Sequence, residues 1–202
     1  MPTFRARQWQ VREDAILDAA RDLLSAESYG DMSMDDVANR VGVSKATLYQ
    51  HFASKDELAT HVVVRSMQRG LDEIAGQDPS LPAIARLEHA LRQGLRRKAA
   101  IWAARTTVPA TIAQHPMYQA QRQRMIAALA TLVDEGKAQG DIRADLPTLA
   151  IVEALLSLYR MAVGEILGDG GYAPDEISRF LVSLALDGLR QRSEPASTAA
   201  AR

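Results

Sequence analysis

Between Ser33 and Phe52 the chain sets hydroxyls, an amine, a phenol and an imidazole at a spacing that suits a nucleic-acid surface. The run Lys45-Ala-Thr-Leu-Tyr-Gln-His51 starts a short helix behind Ser44. Leu48 and, after the run, Phe52 are its buried members. Lys45, Ala46, Thr47, Tyr49, Gln50 and His51 remain on the other faces, with no carboxylate to repel phosphate. Ahead of it Ser33 starts a first short helix carrying Val37, Ala38 and Val41, and Gly42 stops that helix. Glycine enters the left-handed conformation there without steric cost. Val37, Val41, Val43 and Leu48 then pack the two helices together, which is the helix-turn-helix layout. Any αα-corner needs the same glycine and cap, so this pattern alone leaves DNA binding and a purely structural corner both open.

Other chemistries have less to stand on. The chain has 202 residues, 47% of them hydrophobic, and no cysteine. Thiol nucleophiles, disulfide scaffolds and Cys-based zinc sites are therefore excluded. The histidines at 51, 61, 89 and 115 form no HExxH pattern and no close pair, so neither a metal nor another cofactor is called for. There is no nucleophile elbow, no phosphate loop and no carboxylate pair with a reason to be paired, and no enzyme is read here. No run of 18 apolar residues occurs, and no apolar stretch follows Arg5 and Arg7, which points to a soluble, cytoplasmic protein. The formal net charge of −1 gives no hint of nucleic acid, but its distribution does. Residues 1–12 hold three arginines and no acid, residues 13–39 eight acids and one arginine, and residues 40–55 Arg40, Lys45 and Lys55 with no acid.

The elements that position these residues are helical throughout. Ile16, Leu17, Ala20, Leu23 and Leu24 mark one face of a helix from about Arg12 to Ser28. Ser54-Lys-Asp-Glu57 is a capping box opening a helix that fades near Gly76. Later helices run from Pro82 to about Ala104, briefly between Pro109 and Pro116, and from about Met117 to Gln139. Asp145-Leu-Pro147 starts a helix that is apolar on nearly every side as far as Leu167, and Pro174-Asp-Glu opens the last one. A helix apolar all round must be covered all round. The last two helices are therefore expected to form a subunit interface, with Gly164 and Gly188 allowing close approach. The expected fold is all-α, with about nine helices. A three-helix helix-turn-helix domain with a basic N-terminal arm (Arg5, Arg7, Arg12) covers residues 1–55. A larger helical bundle for ligand binding and dimerisation covers 56–192, and residues 193–202 form a disordered tail.

The segment YGDMSMDDVANRVGVSKATLYQHFASKDEL resembles the N-terminal region of the tetracycline-repressor (TetR) family. Gly30, Ser33, Val37-Ala38, Gly42-Val43-Ser44, Thr47-Leu48-Tyr49, His51-Phe52 and Ser54-Lys55-Asp-Glu-Leu58 carry the likeness, which covers about residues 12–60. The resemblance implies that Lys45, Ala46 and Thr47 face bases. It implies that Tyr49 and His51 bond to phosphates, and that Ser33 and Ser44 touch phosphate through hydroxyl or backbone. Lys55 would contact phosphate at the start of the fourth helix. Many members have glycine where Ala46 stands, and its methyl could touch a thymine methyl. Asp35 and Asp36 are given no DNA contact, because an acid repels phosphate; they complement the helix N-terminus. The family likeness further implies a homodimer through the last two helices, a double-stranded palindromic operator and a small-molecule effector that releases a repressor. Recognition helices about 34–36 Å apart would lose the operator when ligand favours another separation. Candidate pocket residues are Trp102, Arg105, Thr106, Gln114, Met117, Tyr118, Met125 and Tyr159, groups that interrupt apolar faces of the central helices. The arginines at 86, 92, 96 and 97 with Lys98 read as a solvated face. The alternatives are a regulator answering to a protein partner, and a helical enzyme or carrier whose corner is structural.

Overall fold

The structure, a computed structural model, describes residues 3–27, 29–99, 108–160 and 173–190. Among these residues lie nine helices, α1 (Phe4–Ala26), α2 (Met34–Val41), α3 (Lys45–His51), α4 (Lys55–Ala75), α5 (Ala83–Ala99), α6 (Ala110–Ala113), α7 (Pro116–Gln139), α8 (Thr148–Arg160) and α9 (Pro174–Leu189). The fold is all-α, as the periodicity predicts. No described helix is long and apolar enough to cross a membrane.

Two apolar clusters organise these helices. In the first, Ile16, Leu17, Ala20, Leu23 and Leu24 of α1 meet Val37 and Ala38 of α2, Leu48 of α3 with Phe52 behind it, and Leu58, Ala59, Val62 and Val63 of α4. Ile112 of α6 is buried in the same cluster, and Tyr118 of α7 packs on its edge. In the second, Leu87, Leu91 and Leu95 of α5 meet Leu129, Leu132 and Val133 of α7, Ile151, Val152 and Leu155 of α8, and Val182 and Leu186 of α9. Ile74 near the end of α4 packs on this second cluster. The first cluster thus extends beyond residue 55, and α4 is a rod shared by both.

Helix α1 departs from the expected start. It begins at Phe4, because the Thr3 hydroxyl accepts from the Ala6 amide at 3.3 Å and caps the first turn. Arg5, Arg7 and Arg12 therefore belong to a helix and not to an arm. Arg65 of α4 binds Asp18 at 2.6 Å and Asp14 at 3.4 Å, tying the two helices side by side. Half of the expected capping box of α4 forms: the Ser54 hydroxyl accepts from the Glu57 amide, while the Glu57 carboxylate accepts from the Ala53 amide at 2.7 Å, one residue ahead of the cap. The turn after α7 packs Ile142 against Gly136 and gives the Arg143 amide to the Leu189 carbonyl at 2.9 Å, so it pins the end of α9. Met161 to Leu167, Gly164 and the tail from Ser193 lie outside the described residues.

A Cβ at Gly136 would stand 2.6 Å from Cδ1 and 2.9 Å from Cγ1 of Ile142. Gly136→Ala is therefore expected to lower stability by about 1–3 kcal/mol through overpacking. Gly188→Ala meets nothing within 4 Å in the single chain and serves as the comparison in urea unfolding.

Candidate nucleic-acid interface

The local sequence forces the corner. Ser33 caps α2, its hydroxyl accepting from the Asp36 amide at 3.2 Å while the Asp36 carboxylate accepts from the Ser33 amide at 3.1 Å and from its hydroxyl at 2.5 Å. These bonds hold the Asp36 carboxyl below the usual carboxylate range, the Ser33 hydroxyl contributing most. Gly42 ends α2 at φ 75°, and the amides of Gly42 and Val43 both bond to the Ala38 carbonyl. Ser44 then caps α3 by accepting from the Thr47 amide at 3.1 Å, and its hydroxyl lies 2.8 Å from that of Thr47. Leu48 is fully buried, so α3 is anchored by one side. Ser44, Lys45, Ala46, Tyr49 and Gln50 are exposed, with Thr47 half-buried between them. This corner gathers Lys45, Ala46, Thr47, Tyr49 and Ser44 on one surface.

Three expected phosphate ligands have other duties. Lys55 lies under the loop between α1 and α2, where its ammonium donates to the carbonyls of Tyr29 at 2.9 Å, Met32 at 3.0 Å and Gly30 at 3.3 Å. It also stands 4.7 Å from the centre of the Tyr29 ring, whose hydroxyl donates to Asp56. An ammonium has three protons, and these carbonyls use them. Lys55 is a fastener of the loop and not a phosphate ligand. Ser33 is likewise corrected: its hydroxyl and amide are both spent on the capping box, where they satisfy the first turn of α2.

His51 is the third correction. Its ring stacks beneath Trp9 of α1, with centroids 3.7 Å apart and planes 25° from parallel. The side chain has no exposed surface, and neither ring nitrogen has a hydrogen-bond partner within the described residues. The nearest carboxylate oxygen, on Glu13, is 3.9 Å away. Burial lowers the imidazole's affinity for a proton, the Glu13 charge opposes this, and Arg12 adds to it. An imidazole covered in this way offers no donor to a phosphate. Sequence reasoning missed the cover because Trp9 lies 42 positions away; a Thr3 cap followed by Arg, Ala and Gln was the available sign that α1 starts early.

Residues 16–62 match the family model for bacterial regulatory proteins of the tetR family. Over those residues the chain is similar to that family. The match covers the corner and the helices that hold it, where the first cluster lies. The regulator EthR from Mycolicibacterium smegmatis is 24% identical over 191 residues, covering 88% of this chain and 86% of EthR. The fatty acid degradation regulator FadR from Bacillus halodurans superposes with a TM-score of 0.73 at 20% identity, covering 90% of this chain and 97% of that one. FadR from Bacillus subtilis, solved in complex with stearoyl-CoA, gives 0.66 at 16% identity, covering 88% and 99%. Likeness at this level establishes a shared fold.

The expected ligand residues are not drawn into one lining by the described part. Gln114 and Met117 are exposed, Tyr118 packs on the first cluster and Met125 on the second. Trp102, Arg105 and Thr106 lie outside the described residues, as does the side chain of Tyr159. Of the cations on α5, Arg86 pairs with Glu135, Arg92 with Glu88 at 2.6 Å, and Arg97 with Glu73. A buried polar contact missed from sequence joins Gln121 of α7 to Gln68 of α4 at 2.8 Å.

Two predictions follow from the reassigned side chains. Lys55→Ala is expected to lower stability by about 1–3 kcal/mol, since it strips a charged donor from three carbonyls; a role confined to phosphate would leave the urea midpoint in place. For His51, the unfolded chain takes up a proton near pH 6.5 while the buried ring resists it. The unfolded state then binds more protons, and stability falls as pH drops below about 6.5, until the folded imidazole also protonates. Urea midpoints between pH 5 and 8 are expected to show this slope in the parent and a flatter one in His51→Phe.

Proposed function

We propose that this chain is a regulator of the TetR family, a homodimeric repressor that reads a palindromic operator with α3 of each subunit and leaves it when a small molecule binds the C-terminal bundle. The observation that carries the reading is the two-sidedness of α3. Leu48 anchors it in the core while Lys45, Ala46, Tyr49 and Gln50 face outward with Thr47 among them. Lys45 and Thr47 would bond to base edges and the Ala46 methyl would meet a thymine methyl. Tyr49 and Ser44 would bond to phosphate and set the register.

Dimerisation through the last helices is supported by apolar side chains left in the open. Leu149 of α8 and Phe180 and Leu184 of α9 are each more than half exposed. Phe180 and Leu184 stand four residues apart and share one face of α9. Covering such a face with a second copy would bury it at about 25 cal/mol per Å² of apolar area.

Effector response is supported by the way α4 joins the two clusters while α6 enters the first. Ile112 of α6 sits wholly buried in the DNA-domain core, and α4 carries residues of both clusters. A ligand that favours one position of the bundle over another would move both recognition helices together and change operator affinity by its differential affinity for the two states. The ligands to try first are long-chain acyl-CoA thioesters, on the fold likeness to the Bacillus subtilis regulator that binds stearoyl-CoA.

The test combines two variants with a titration. Thr47→Ala is expected to alter base preference by about 1–3 kcal/mol at one position of each half-site in competition gel shifts. Phe180→Asp with Leu184→Asp is expected to give a folded monomer by sedimentation and to abolish tight operator binding. A parent protein that sediments as a monomer while binding DNA overturns the dimer. DNA binding that no acyl-CoA, fatty acid or other small molecule shifts overturns the sensor and leaves the DNA reading in place.

A further inference from the structure

Asp35 and Lys45 form an ion pair across the exposed corner between α2 and α3. Asp35 is the second residue of α2 and Lys45 the first of α3. The Lys45 ammonium lies 2.8 Å from Oδ1 and 3.0 Å from Oδ2 of Asp35, and both side chains are more than half exposed. The carboxylate holds the ammonium's proton more firmly than usual, and Tyr49 adds to the effect. Folding does not need this pair. An exposed ion pair stabilises little, and the cap of α2 is already complete with Ser33 and Asp36.

The geometry points to Asp35 as a specificity-determining residue that reads cytosine in a G·C pair jointly with Lys45, an inference that rests on α3 lying in the major groove. An acid alone would be repelled by the duplex, but this acid arrives neutralised by Lys45. A carboxylate only accepts hydrogen bonds, and the groups that offer a proton on the major-groove edge are the amines of cytosine and adenine. An ammonium only donates, and guanine presents two acceptors, O6 and N7. On a G·C edge O6 lies beside the cytosine amine, about 2.9 Å away across the Watson–Crick hydrogen bond. The Asp35–Lys45 separation reproduces that spacing. Lys45 therefore donates to guanine while Asp35 accepts from cytosine, and the ion pair is kept. On an A·T edge the adenine amine separates the acceptors and the thymine methyl crowds O4, so Lys45 loses one of its two acceptors. Asp35 has a second consequence: by holding Lys45 it keeps the ammonium from binding phosphate at any sequence.

In vitro selection of duplexes from a randomised library, with the full-length parent, Asp35→Ala and Asp35→Asn, tests this. The parent is expected to select a site with a G·C pair at one position of each half-site. Asp35→Ala is expected to lose preference at that position by on the order of tenfold, with the other positions unchanged. It should also bind unrelated duplex more tightly and with a steeper salt dependence, because Lys45 is released to phosphate. Asp35→Asn is expected to turn the same position toward A·T, since an amide matches adenine. Thermal unfolding confirms that both variants are folded. An Asp35→Ala protein that selects the parent's site at every position overturns the proposal, as do folded variants that bind no DNA and a parent that prefers A·T there. A parent that selects no sequence overturns the reading of α3 along with it.

Discussion

A helix of seven residues cannot hold itself together in water. The outward surface of α3 therefore depends on the burial of Leu48 and Phe52 beneath it, among Leu24, Val37, Leu58 and Val62. That burial, the Ser44 cap and the left-handed turn at Gly42 fix which face of α3 looks outward. The exposed side chains contribute little to this arrangement. They can therefore be chosen for what they recognise, and the core beneath them for what it holds.

Charge is distributed by the same logic. Lys55 and His51 lie beside the surface, yet each is spent within the fold, one on three loop carbonyls and the other beneath Trp9. Asp36 is committed to Ser33. Of the cations in residues 40–55, Arg40 is exposed at the end of α2 and Lys45 is exposed and balanced by Asp35, with hydroxyls around it. A chain with net charge −1 has no general attraction for a polyanion, so the proposed recognition of DNA rests on where a few groups stand. The connection to the rest of the molecule runs through α4, whose first turns belong to the first cluster and whose end reaches the second.

Much of this was legible in the sequence because it is local. Ser33, Gly42, Ser44 and Ser54 announce their caps and turn within four residues, and Ile16 to Leu24 repeat with the helical period. The losses came where a partner is distant. Lys55 acts on carbonyls at positions 29, 30 and 32, and His51 is covered by residue 9. Asp35 meets Lys45 only once the corner has closed. The early start of α1 was obscured because Phe4 and Val11 are apolar yet exposed, so periodicity gave no face there. The ligand site was the least legible: no spacing marks a pocket, and of its candidates Tyr118 and Met125 belong to different clusters.

The most direct measurement is dimethyl sulfate protection of guanine N7 on a duplex bound by the full-length protein, because N7 opens only to the major groove. The account predicts two protected patches on one face of the duplex, one helical turn or a multiple of it apart, about 10–10.5 base pairs centre to centre per turn. Guanines left fully reactive under a saturating footprint would contradict it, since the outward face of α3 would then not be what touches the bases.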